Sequence, residues 1–215
     1  MKQLKVTDGR TLEYEDNGVK SQKAILFLHG TPGSIKTWST WLPQVTGCLA
    51  IAASRAGYGK SDRHFGRTVA DDLADQQTLL DHFHIKEFVA IGWSGGGPHS
   101  INMTRDPRCK GAITLAGVAE WGHADLDFLA DMGSENEEEF GVALNGEAAL
   151  QAWMVKNASA YKTITGPDVI AALGGLIGDA DKAALTPEVA VDAAEGMRHA
   201  VVDSFDGWVD DDLAF

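Results

Sequence analysis

Apolar residues along the first half of this chain recur in two alternating rhythms. Short runs that are apolar at nearly every position occur at "AILFL" (24–28), "CLAIAAS" (48–54), "FVAIGW" (88–93) and "GAITLAG" (111–117). Runs of that length read as strands buried on both faces, the signature of parallel strands in an α/β sheet. Between them, "TVADDLADQQTLLDHF" (68–83) places Val69, Leu73, Leu79, Leu80 and Phe83 roughly on one helical face, with acids early where the helix dipole favours them. A second helix runs from the strand at 88–93 to about Arg105. Residues 3–7 and 11–16 predict an antiparallel pair across the Asp8-Gly9 turn. The alternation predicts a mostly parallel sheet with helices on both faces.

After Ala119 the pattern changes to helices without a convincing buried strand. "SENEEEFGVALNG" opens with an acidic turn and ends at Gly146, "EAALQAWMVKNASAY" is amphipathic, and "TPEVAVDAAEGMRHAVVDSF" starts with Thr186 as N-cap and Pro187 at the first helical position. The expected division is an α/β core over 1–119, a helical insertion over 120–206 and a C-terminal tail over 207–215.

Composition narrows the classes. A chain of 215 residues suits one domain with an inserted subdomain. Its formal net charge of -13 argues against a nucleic-acid or anionic-membrane partner, either of which calls for a basic face. Cys48 and Cys109 lack ligand or redox spacing and read as free thiols in a reducing compartment. No apolar leader opens the chain and no run has transmembrane length, so a cytoplasmic location is expected. The acidic runs at 137–139 and 210–212 read as solvated faces, which sets aside a paired-carboxylate mechanism. No metal-ligand spacing and no phosphate-cradling loop is present, so neither a metal nor a cofactor is expected.

The candidate chemistry lies in "GWSGGGPHS" (92–100), where Gly92-Trp93-Ser94-Gly95-Gly96 fits G-x-S-x-G. A strand precedes it and a helix follows, the context in which a tight turn lifts a serine hydroxyl clear of a sheet. Flanking side chains would collide in such a turn, so glycine is required there. "HGTPGS" (29–34) follows another strand and can aim a backbone N–H at the same point. Acyl transfer needs two donors around a developing oxyanion, and the N–H groups of Thr31 and Gly95 are the candidates. His29 reads as a structural brace of that loop rather than a proton carrier.

Taken together, "FLHGTPGS", "SRAGYGKSD" and "AIGWSGGGPHS" resemble the α/β-hydrolase fold, in its cap-bearing esterase and epoxide-hydrolase-like branch. The resemblance covers residues 1 to about 120 and implies Ser94 as nucleophile, Thr31 and Gly95 as oxyanion donors, and residues 120–206 as a helical cap. Ser54 and Ala56 stand where the family often has an aspartate and a proline. The family's chain order of serine, acid, histidine places the last two after the final sheet strands. No such strand and no histidine after His199 precede Phe215, so the expected sheet lacks its last two strands and the triad is incomplete. Of the histidines beyond Ser94, His99 should point away from it, while His123 and His199 fall on the insertion, where His199 and Asp203 share a helical face.

Two functions follow from these readings. One is a serine hydrolase acting on a small ester or acyl substrate; the other is a weak or inactive hydrolase-fold protein that binds a small ligand or a partner chain. Trp38, Trp41, Trp93, Trp121 and Trp153 are available to line an apolar pocket. The uncharged strand at 111–117 becomes an open edge, which predicts a homodimer formed through it.

Overall fold

The computed structural model describes residues 1–215. Strands β1 (Lys2–Lys5), β2 (Thr11–Asp16), β3 (Lys23–Leu28), β4 (Leu49–Ser54), β5 (Glu87–Trp93) and β6 (Cys109–Leu115) form one sheet in the order β1-β2-β4-β3-β5-β6. The first two pair antiparallel, β2 meets β4 antiparallel, and β4, β3, β5 and β6 run parallel. In β3 and β4 alternate side chains bury on opposite faces, as strand geometry requires. Leu26, Leu28, Leu49 and Ile51 join Leu79, Leu80 and Phe88 on one face. Phe27, Ala50 and Ala52 meet Ile35, Trp38 and Leu42 on the other. The continuous apolar runs of β3 and β4 are thus explained by two covered faces.

The helices are α1 (Asp72–His82), α2 (Gly96–Asn102), α3 (Ser134–Ala143), α4 (Glu147–Asn157), α5 (Gly166–Leu173), α6 (Asp179–Ala184), α7 (Pro187–Ala200) and α8 (Asp206–Asp212). Helix α1 begins later than its sequence pattern suggests, after a 3-10 turn at Val69–Asp71 closed by the reciprocal Thr68–Asp71 cap. Its inward face carries Asp72, Asp75 and Gln76 beside Leu79 and Leu80, because polar partners lie beneath it. Helix α7 starts as its sequence predicts, with the Thr186 hydroxyl accepting from the N–H of Val189 and Pro187 in the first turn. No helix is long and apolar enough to cross a membrane.

Two expectations change. Strand β6 begins at Cys109 rather than 111, and it is not buried: Ile113 and Leu115 on this edge strand are about half exposed, at 47% and 46%. Residues 207–215, read from sequence as a tail, instead hold most of α8, with Trp208, Val209, Asp210, Asp211 and Asp212 all buried. Trp208 and Val209 pack with Tyr58, Leu150 and Met154 in a second apolar cluster. Arginines brought in from elsewhere in the chain offset the charge of two of the helix's three successive aspartates, Asp210 and Asp211.

Because β3 and β5 are parallel neighbours with Leu28 opposite Gly92, the loops leaving their C-terminal ends emerge side by side. That register brings residues 29–34 against residues 93–97. Leu26 is fully buried in the strand between β4 and β5. Leu26→Ala should cost about 3 kcal/mol in the free energy of unfolding, read from the urea midpoint at unchanged slope.

Candidate active site

Ser94 lies on the first residue after β5 with φ of 52°, a region that non-glycine residues rarely occupy. Neighbouring backbone over-determines this conformation. Its N–H donates to the carbonyl of Leu115 at 2.8 Å, and its own carbonyl accepts from the N–H of Gly97 at 2.8 Å. Space is short on every side. A Cβ on Gly92 would run into the Gly96 carbonyl, one on Gly96 into the carbonyl of Leu28, and one on Gly30 would stand 3.2 Å from Cβ of Ser94. The glycines of the motif are therefore required by close backbone approach.

Ser94, Thr31 and Gly95 line one small cavity of about 40 Å³ together with Asn136, Glu139 and Asp212. No backbone carbonyl of the chain accepts from the N–H of Thr31 or of Gly95. Phe140, Asp212 and Phe215 also line an adjoining, mostly apolar cavity of about 130 Å³, walled further by Trp121, Phe128 and Leu144. Of the tryptophans offered by the sequence, only Trp121 reaches these cavities.

Beneath the loop of Thr31 lies a cluster of buried charges centred on Asp211. Its Oδ2 accepts from the Thr31 hydroxyl at 2.6 Å, the Arg55 guanidinium at 2.6 Å and the Tyr58 hydroxyl at 2.7 Å. Arg67 pairs with Oδ1 at 2.6 Å, and Nε2 of His99 lies 3.6 Å from the same oxygen. Burial would raise the Asp211 carboxyl, but Arg55, Arg67 and His99 outweigh it and hold it well below the usual carboxylate range. Nδ1 of His99 meets Asp72 at 3.0 Å, and that carboxyl, against the effect of its burial, is held at about 2 by His99 and Arg55.

The other histidines are committed elsewhere. Nε2 of His29 accepts from the N–H of Arg55 at 2.9 Å, so its proton is on Nδ1, which donates to the Gly30 carbonyl at 2.8 Å. Burial and the Arg55 charge push its pKa well down, and the ring braces the loop. His199 meets Glu13 at 2.8 Å rather than Asp203, which pairs with Lys60 at 2.8 Å. His123 is exposed, and no histidine lines the cavity of Ser94.

The acidic runs overturn the expectation of solvated faces. The three aspartates of α8 point in different directions along the helix and meet different fates. Asp210 pairs with Arg63 at 2.7 Å, and Asp211 takes Arg55 and Arg67. Asp212 has no donor at either carboxyl oxygen. Its polar neighbour is Glu139 of α3, which accepts from the indole N–H of Trp208. Burial first, then Glu139 and the adjacent Asp211, push the Asp212 carboxyl well above its usual range. Burial also raises Glu139, against the opposing effects of the neighbouring Asp212 carboxyl and the Trp208 indole N–H. Sequence reasoning missed Asp211, Asp212, Glu139, Arg55 and Arg67. One signal was available: the segment 54–67 carries Arg55, Arg63 and Arg67, a charge complement to the run 210–212.

Comparison with known proteins bears on this geometry. Residues 23–150 match the family described as alpha/beta hydrolase fold. The chain is 33% identical over 118 residues to an uncharacterized hydrolase of Bacillus subtilis, an alignment covering 53% of this chain and 41% of that protein. It is 31% identical over 122 residues to a probable proline iminopeptidase of Leptolyngbya boryana, covering 54% of this chain and 37% of that one. These alignments span about two fifths of the relatives' own length. A hydrolase structure from Pseudomonas aeruginosa superposes with a TM-score of 0.65 at 17% identity, over 99% of this chain and 71% of that one, a likeness of fold.

Two outcomes follow from the buried acids. Asp211→Asn leaves Arg55 and Arg67 without their counter-charge and should cost about 3 to 5 kcal/mol of stability at neutral pH, measured by urea unfolding. Asp212 behaves oppositely, since its folded pKa is raised. Its neutral form contributes stability that is fully present below the unfolded pKa of about 4 and is lost as pH rises through the folded value. Asp212→Asn should therefore gain stability relative to the parent chain as pH is raised from weakly acidic to alkaline; a constant difference across that range would contradict the assignment.

Proposed function

The chain belongs to the alpha/beta hydrolase fold family, and from that premise we propose that it is a serine hydrolase acting on a small ester or related acyl substrate. Ser94 is the nucleophile, and the N–H groups of Thr31 and Gly95 receive the charge that develops on the carbonyl oxygen. One observation carries the reading. A serine held at positive φ shares a cavity with Thr31 and Gly95, whose backbone N–H groups donate to no carbonyl of the chain. The adjoining cavity supports the substrate class, since its walls of Trp121, Phe128, Phe140 and Leu144 suit a compact apolar group.

The mechanism begins with Ser94 Oγ attacking the acyl carbon as its proton passes to a base. The tetrahedral oxyanion is held by the two N–H groups, the alcohol leaves, and water releases the acyl group from Ser94. None of the chain's seven histidines lines the cavity, so the base is assigned to none of them. That observation also favours a second reading, in which the site binds its ligand and turns it over weakly, because loss of a triad base costs several orders of magnitude in rate.

A fluorophosphonate ester distinguishes the two. A base-assisted Ser94 should label within minutes at one equivalent per chain, and Ser94→Ala should abolish the mass shift. Labelling that takes many hours, or that survives Ser94→Ala, rejects the hydrolase reading and leaves the ligand-binding one.

A further inference from the structure

We propose that the paired carboxyls of Asp212 and Glu139 form the recognition site for a primary ammonium group carried on a small apolar ligand, seated beside Ser94. Three consecutive aspartates on α8 supply the contrast on which this stands. Asp210 has Arg63 and Asp211 has Arg55 and Arg67, whereas Asp212 faces another carboxyl. Asp212 is 6% exposed, neither of its oxygens has a donor, and it lines the cavity of Ser94. A buried carboxylate without a partner is costly, so at neutral pH the pair must hold a proton or a cation.

No cation of the chain is available to it. The groups facing the pair are Glu135 beside Glu139, Asp211 beside Asp212, the hydroxyl of Tyr161, which donates to Glu135, and the neutral indole of Trp208 that donates to Glu139. Arg55 and Arg67, which lie on the far side of Asp211, are already committed there. The local field is therefore negative, and an incoming ammonium replaces the shared proton with three donors of its own.

The surroundings set the size of the ligand. The cavity holding Ser94 has about 40 Å³, room for one ammonium head or a few waters. The adjoining cavity of about 130 Å³ meets it at Asp212 and Phe140, and a cavity of roughly this size holds a single six-membered ring. It opens past Leu144 and Leu213, which are 60% and 43% exposed, so a ligand can enter. The aromatic rings of Trp121, Phe128 and Phe140 line this route, and aromatic faces also attract cations. Binding of such an amine stands apart from the hydrolase reading. Its further meaning, that the substrate is an ester or amide with an amine close to the acyl carbon, rests on that reading.

Benzylamine and its neutral isostere benzyl alcohol are the probes, titrated into the full chain by calorimetry near pH 6 and pH 8. Benzylamine should bind about tenfold or more tightly than benzyl alcohol at the higher pH. Its affinity should rise with pH, and protons should be released, seen as a dependence of the heat on buffer ionisation. Asp212→Asn and Glu139→Gln should each remove the preference while leaving benzyl alcohol binding intact, which also shows that the variants are folded. Benzylamine binding is read on the unlabelled parent chain and needs no reaction at Ser94, so this result is independent of whether Ser94 labels with the fluorophosphonate. Equal affinities for the two probes, binding of neither, or a preference that persists in both carboxyl variants overturns the proposal.

Discussion

Asp211 carries its negative charge with no exposure to solvent, and two arginines, a tyrosine and a threonine converge on it. Those partners come from separate stretches of chain: Thr31 follows β3, Arg55 and Tyr58 follow β4, Arg67 precedes α1, and Asp211 itself lies on α8. The charge can be buried only if all of these segments are in place together. Conversely, each arginine would be an uncompensated buried cation without it. The position of the Thr31 loop is thus tied to the docking of α8 by a mutual electrostatic need. Arg55 adds to this by donating to the carbonyls of His29 and Gly30 as well as to Asp211.

The sheet supplies the other half of the arrangement. Parallel pairing aligns the ends of β3 and β5, so the Thr31 loop and the Ser94 turn leave the sheet as neighbours. The strain at Ser94 persists because glycines let Gly92, Gly96 and Gly30 approach other backbone closely, and because two backbone hydrogen bonds pin the turn. The apolar clusters on both faces of β3 and β4 keep those strand ends from shifting. Precision at the site comes from a rigid scaffold below it and an ion cluster beside it.

Beyond its exposed acids, this protein buries several carboxyls beside the candidate site. With 31 acidic and 18 basic side chains, acids well outnumber the arginines and lysines that could meet them. The buried acids around the candidate site divide into two kinds. Asp72, Asp210 and Asp211 are paired with cationic or histidine groups, and for Asp72 and Asp211 those partners outweigh the upward push of burial. Asp212 and Glu139 face each other and stay protonated more readily. Neighbouring residues on one helix turn thus titrate in opposite directions, because a 100° step along the helix changes which wall each carboxyl meets.

The sequence by itself determined the strands, the elbow and the loop that accompanies it. Apolar runs bounded by glycine carry the information for strands buried on both faces, and close backbone approach leaves glycine as the residue that fits around Ser94. These are local constraints, readable from a few adjacent residues. It also determined the start of α7, where the Thr186 cap and Pro187 act within one turn. The fate of the acidic runs was decided only by tertiary structure. Nothing local distinguishes Asp210, Asp211 and Asp212, and a run of like charge ordinarily belongs in water. The burial of Asp210 and Asp211 depends on arginines some 150 positions earlier, as between Arg55 and Asp211, while Asp212 meets Glu139 of α3. His199 shows the same limit, since helical spacing offered Asp203 while the fold supplied Glu13 from β2. Local geometry repeats along a chain, whereas the partner of a charge depends on which distant segments the folded core brings within a few ångströms.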